Sequence, residues 1–267
     1  MLEWLDDEGE GEGSRLSPPS KDEVVLRALC LIAISMRASF ENLERVSRSL
    51  ANWTPEQLEE LRGCPQAVAA WMAKEGLAPS LSSSERRLME APLGEWTDQE
   101  LLDADWRQES LGVLLWALSI IPALPPYDSQ FDLSQGKLIR GWSRDELAES
   151  AQKRDREEIS RARGVAELWH WRSRTTRLQR DGHAPPPGFP RQLDTFGKII
   201  RVTADHAFAN SDIPRPVRHD FPAFGKPYAR LTEEEYSICT SIVIERHCAL
   251  NWLCGYTEDW NEVPTDT

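Results

Sequence analysis

The stretch LTEEEYSICTSIVIERHCALNWLCGY, residues 231–256, decides the fold class. Thr232 is followed three residues later by Glu235, the spacing of a capping box, in which side chain and backbone satisfy two orphan N–H groups reciprocally. Beyond the cap, apolar residues continue at helical spacing to the end of the stretch, which predicts a helix over 232–256. On a wheel of about 100° per residue, His247, Asn251 and Cys254 share one stripe, flanked by Val243, Ile244 and Leu250. Ile238, Ala249, Trp252 and Leu253 occupy the other sides, so the C-terminal half is apolar nearly all round, as in a buried helix. Glu245, Arg246, His247 and Asn251 then require partners from other elements, because unpaired burial is costly.

The same cap recurs at Ser20/Glu23, Thr54/Gln57, Thr97/Glu100 and Ser143/Glu146, each ahead of an apolar periodic run. Sustained period-2 alternation is absent. The expectation is an all-α protein, with helices over 21–38, 41–51, 55–62, 65–75, 84–90, 98–121, 143–180, 191–209 and 232–256. Residues 1–19, acidic and glycine-rich, read as a flexible tail, and 20–267 as a single irregular multi-helix domain. Long proline-rich loops interrupt it. PALPPYDSQF (122–131) is stiffened by Pro122, Pro125 and Pro126. IPRPVRHDFPAFGKPYARL (213–231) is long enough to be functional, either packed onto the helices or acting as a lid. DGHAPPPGFP (181–190) reads as a proline-braced corner.

A formal charge of −13 argues against general nucleic-acid or anionic-membrane binding, since both need a Lys/Arg excess. The five cysteines show no Cys-x-x-Cys spacing, and each sits among apolar residues or near a helix end, consistent with a reducing compartment. The N-terminus lacks a basic region and a long apolar run, and the longest apolar stretch, LGVLLWALSII, is too short to span a bilayer. A soluble, cytoplasmic protein is expected.

Two further helices carry polar groups on apolar faces. Glu109 lies with Trp106, Val113 and Ala117; Arg163, Glu167, His170 and Arg174 form a stripe spaced four, three and four. We expect Glu109, Glu167, His170, Arg174, Arg246, His247 and Asn251 to meet in one interior or cleft-lining network. That requires His170 and His247 to lie within ~15 Å of each other. The bland counterpart of each group is a solvated ion pair for the 163–174 stripe and a satisfied core pair for His247 and Asn251.

Sharper chemistries fare poorly. Cys248 points about 100° away from His247, and Cys254 lies roughly 10 Å along the helix axis, so no local Cys-His-Asn triad forms. The five histidines lack metal-ligand spacing, and no phosphate loop or nucleophile elbow is present, so no metal or cofactor is expected. His219-Asp220 is a weak base–orienter pair, because sequence neighbours seldom face each other.

WRQESLGVLLWALSIIPALPPYD (106–128), AELWHWRSRTTRL (166–178) and ERHCALNWLCGYTEDWNEVPTDT (245–267), in that order, resemble the uncharacterised family known as domain of unknown function 4272, over about residues 20–267. Ser110 stands where that family more usually has alanine, and ELWHWRSR is similar to one branch of it. The resemblance implies a mostly helical, soluble, bacterial domain; it implies no activity, substrate or catalytic residue. Its blocks contain Glu109, His170, Glu245, Arg246, His247 and Asn251, which the wheels single out, together with Arg107 and Arg172.

The first functional reading is a binding or interaction module with a protein partner. The second is an enzyme of unstated, hydrolytic type, with Glu109, His170 and His247 as catalytic candidates in a cleft. A third is a nucleotide or small-anion binder. The ligand-binding candidates are Arg107, Glu167, Arg172, Arg174, Glu245, Arg246 and Asn251.

Overall fold

The computed structural model describes residues 17–49, 53–132, 142–185 and 190–265, and within them the chain is of the all-α class, with one small two-stranded hairpin. Its helices are α1 (Lys21–Ser49), α2 (Pro55–Glu75), α3 (Ser83–Glu90), α4 (Asp98–Ala117), α5 (Arg144–Ser150), α6 (Arg156–Arg180), α7 (Phe196–Ala209) and α8 (Glu233–Leu253). All five expected capping boxes form, with both reciprocal hydrogen bonds present. A sixth, Ser82/Glu85, starts α3. Most of the expected tail, residues 1–16, lies outside the described residues. Pro19, the last residue of that tail, is buried, and its carbonyl accepts from Lys153 Nζ. Residues 186–189 of the proline-braced corner are likewise outside them.

The helix expected over 191–209 begins only at Phe196, after a 3-10 turn at Arg191–Leu193, and that expected over 232–256 ends at Leu253. Four other boundaries differ from the sequence expectation, each for a local reason. α1 runs through the break expected at 39–40, because Ser39 Oγ donates to Ser35 O and a buried Arg37–Glu41 pair spans the site. α2 continues through Pro65, with Leu61, Val68 and Met72 keeping one buried face in register on both sides of it. α4 stops at Ala117, although the apolar run goes on. Ser119 takes φ 58°, and Ile120 N–H returns to Leu115 O, an αL-type stop. The helix expected over 143–180 is split, because the connector gives Gln152 N–H to Leu118 O and Arg154 N–H to Ala117 O. Those carbonyls are left without helical partners at the end of α4. Asp155 then caps α6, accepting from Glu158 N–H.

The helices pack in the order α2, α1, α4, α8, α6 and α7. α1 and α4 are apolar on most sides, with Val24 to Ala33 and Leu111 to Leu118 inside one connected core that reaches Trp169 on α6 and Leu250 on α8. A smaller cluster around Ile34, Trp96 and Leu101 lies under the α3–α4 connection. The 213–231 loop packs down rather than standing off: Phe221 and Tyr228 are buried, and only Phe224 among its aromatics is exposed. It makes two tight turns. Residues 217–220 close a two-residue hairpin, with Arg218 and His219 at φ 51° and 63°. β1 (Pro222–Ala223) pairs antiparallel with β2 (Lys226–Pro227) across Phe224 and Gly225, at φ 51° and 71°. Two-residue hairpins favour such positive φ pairs. For arginine, histidine and phenylalanine these angles are strained, and strain of this kind gathers at functional sites.

Gly112 on α4 is required by packing. A Cβ there would sit 2.2 Å from the Phe131 ring, while Phe131 N–H donates to Glu109 one turn earlier. Gly112→Ala should destabilise the fold by ~1–3 kcal/mol through overpacking, read as a lower urea midpoint with an unchanged slope.

Candidate functional site

The two proline-rich loops are held by buried arginines, and between them lies a groove. Arg246, from the middle of α8, bridges to α4 and to the first loop. Its Nε and Nη2 reach Glu109 Oε2 at 2.9 and 2.8 Å. Nη1 donates to Pro125 O at 2.6 Å and Pro126 O at 3.3 Å, and Nη2 to Ser129 O at 2.8 Å. Glu109 Oε1 accepts Phe131 N–H at 2.8 Å, so the two side chains together fix residues 125–131. The guanidinium lies 5.1 Å from both the Tyr127 and Phe131 ring centres. Arg154 fixes the start of the same loop, donating to Trp116 O at 2.7 Å and Pro122 O at 3.0 Å.

Arg172 on α6 does the equivalent for the second loop. It makes a two-pronged contact with Asp220, at 2.6 and 2.9 Å, and its remaining prong reaches Thr176 Oγ1. Asp220 also accepts from Phe221 N–H and Ala229 N–H, closing the loop on itself. The loops are tied to each other by Asp128 Oδ2, which accepts Phe224 N–H at 2.7 Å. Trp169, on α6 beneath both, stacks on Tyr127 at 5.1 Å and takes Phe221 edge-on at 5.2 Å.

The resulting groove has a volume of about 670 Å³, within the range of ligand sites. Its walls are Pro122–Asp128 on one side and Asp212, Pro214, Pro222 and Gly225 on the other. Its floor is Trp116 with Glu158, Arg161, Ala162, Val165 and Trp169 of α6.

The polar candidates come together in separate small groups, not in one network. His170 Nδ1 and His247 Nδ1 are 3.0 Å apart, well inside the expected limit. One ring must donate and the other accept. His247 Nε2 is buried, and among the described residues it has no hydrogen-bond partner. A bare acceptor is cheaper to bury there than an N–H, which favours the tautomer with the proton on Nδ1. Burial, then His170 and Arg163, push His247 down to about 3. Asn251 accepts from Arg163 Nε at 3.0 Å and donates to Pro264 O at 2.6 Å, and Arg163 also grips Glu167. Arg174 is exposed.

Arg107 joins Arg27 on Glu85, at 3.3 and 2.5 Å, a cluster of its own at the start of α3. Glu245 is half-buried and accepts from Ser110 Oγ at 2.6 Å. Burial raises the Glu245 carboxyl, with Ser110 opposing, and likewise the Glu109 carboxyl, with Arg246 opposing. Burial holds the Cys248 thiol up at about 12, which leaves it a poor nucleophile. His219 and Asp220 do not face each other: His219 is exposed against Arg201, while Asp220 serves Arg172. None of the ten nominated residues lines the groove. Among the described residues no group of three or more His, Cys, Asp or Glu is placed to hold a metal ion.

Two residues that hold the loops carry no such signal in the sequence. Asp220 was visible only beside His219, and Arg154 fell inside what read as a continuous helix. Neither carries a local signal, because their partners are 48 and up to 38 residues away.

Asp220→Asn removes the charge opposite a fully buried Arg172 and should cost ~3–5 kcal/mol, measured by urea denaturation. For His247, the folded pKa of about 3 lies below the ordinary 6.5. The unfolded chain therefore takes up the proton first as pH falls. The stabilisation is complete above about pH 6.5 and is lost progressively toward pH 3. Wild type should lose up to ~1.4 kcal/mol more per pH unit in that window than His247→Gln, in urea titrations at stepped pH.

No curated protein and no solved structure matches the chain. Among the described residues no helix is long and apolar enough to cross a membrane. A family model, domain of unknown function DUF4272, matches residues 10–188, which takes in the first two of the three sequence blocks and ends before the last. That match covers more than half of the 267 residues, and the chain belongs to the DUF4272 family.

Proposed function

We propose that this chain is a soluble, cytoplasmic binding module that seats part of a protein partner in the groove between its two proline-rich loops. The observation that carries this is the way the groove is built. Its walls are loops, which ordinarily fluctuate. Here Arg246–Glu109 and Arg172–Asp220, both buried, hold them in place, and the strained Phe224–Gly225 turn borders the groove through Gly225. A preformed, apolar-walled cavity lowers the entropy cost of taking up a ligand.

The hydrolytic reading gains nothing from the geometry. Glu109, His170 and His247 are 2%, 6% and 0% exposed, so a substrate does not reach them. The anion-binding reading gains little either: Arg172 and Arg246 are spent on Asp220 and Glu109. In the groove Asp128, Glu158 and Asp212 outnumber Arg161.

Ala162, half-buried on the floor, offers a test that spares the core. Wild type should enhance the fluorescence of the neutral dye Nile red, and Ala162→Arg should cut that binding about tenfold with melting temperature and circular dichroism unchanged. Equal dye binding by both proteins would remove the groove as the seat.

A further inference from the structure

We infer that the occupant of the groove is an extended segment of another protein, about five residues long, that places a lysine or arginine against Asp128. The inference rests on the groove being the seat, and adds the partner's chemistry.

The shape comes first. The part of the floor supplied by α6 runs from Glu158 to Trp169, about 16 Å at ~1.5 Å per residue. An extended chain rises ~3.3 Å per residue, so about five residues fill that length. A free amine would occupy only one end of such a trough. The apolar part of the segment lies over Trp116, Val165 and the faces of Pro122 and Pro214. Flat proline and indole surfaces accept such a chain without demanding a fixed register.

Charge then sets the sign of the anchor. Three carboxylates and one guanidinium line the groove. Glu158 is occupied by Arg154 at 2.5 Å, and Asp212 faces Arg161 at 3.6 Å. Asp128 differs. Its contact is the neutral Phe224 N–H, through Oδ2 alone, and among the described residues no cation pairs with it. It is half-buried at the end of the groove where the two loops meet. An incoming ammonium or guanidinium completes its pairing in a partly desolvated place, where a charge-assisted hydrogen bond is strong. The whole chain, at −13, steers a basic segment in the same direction.

The test is isothermal titration of wild type with two capped peptides, Ac-Leu-Lys-Pro-Phe-Leu-NH2 and the same peptide with glutamate in place of lysine. Benzylammonium chloride serves as a free-amine control. The lysine peptide should bind about tenfold tighter than the glutamate peptide, and the difference should shrink when salt is raised. Asp128→Asn keeps an acceptor for Phe224 N–H and should erase most of that preference, while Ala162→Arg should abolish binding of both peptides. Equal affinity of the two peptides, or tighter binding of the glutamate peptide, would overturn the basic anchor. If either still depends on Ala162, the groove reading survives. Benzylammonium binding as tightly as the lysine peptide would replace the protein segment with a small amine. Failure of both peptides alongside dye binding that Ala162→Arg blocks would overturn this inference alone. Failure of the dye as well would take the groove with it.

Discussion

The Arg246–Glu109 pair is the constraint on which the rest of the structure depends. It stands inside the row of helices, where α8 packs on α4, with both side chains essentially out of water. Removing two charges from water costs several kcal/mol each, and the attraction between them recovers this only when the remaining donors are also satisfied. The protein meets that condition by wrapping a loop around the arginine. Pro125, Pro126 and Ser129 present carbonyls to Nη1 and Nη2, and Phe131 presents its N–H to the free carboxylate oxygen. A loop of residues 122–131 is thus shaped by an electrostatic need deep in the core. Three prolines within it lower the entropy cost of holding that shape.

The same device appears twice more. Arg172 binds Asp220 and through it the backbone of Phe221 and Ala229. Arg154 takes the carbonyls at the exit of α4. Three arginines therefore convert irregular segments into rigid walls. Trp169 is where the walls meet, with Tyr127 from one loop and Phe221 from the other against its ring. The polar residues that look like chemistry in the sequence hold up a cavity that other residues line. His170 and His247 have a similar supporting part between α6 and α8, facing each other across the helix contact.

Much of this was legible beforehand. The caps at Thr54, Thr97, Ser143 and Thr232 act within four residues, so they place helix starts from sequence alone. The polar groups of α8 had to find partners once the helix read as buried, and Arg246, His247 and Asn251 all did. Helix ends were less legible. The apolar run past Ala117 looks the same whether it is helix or packed loop, and the break at Ala151–Asp155 exists because the connector feeds the carbonyls of α4. The breaks expected at 39–40 and 63–64 do not occur, because buried faces on both sides keep α1 and α2 continuous.

Sequence by itself determined the helical class, the sites of the caps, the family, and which polar side chains could not stay unpaired, since periodicity and capping are local. Tertiary structure alone decided who pairs with whom and where the open space lies. Glu109 and Arg246 are 137 residues apart, and Arg172 and Asp220 are 48 apart. No pattern within a helix encodes such distances. The groove is further removed still: it is the volume left between two loops once those pairs have closed, a property of the packed chain and not of any stretch of it.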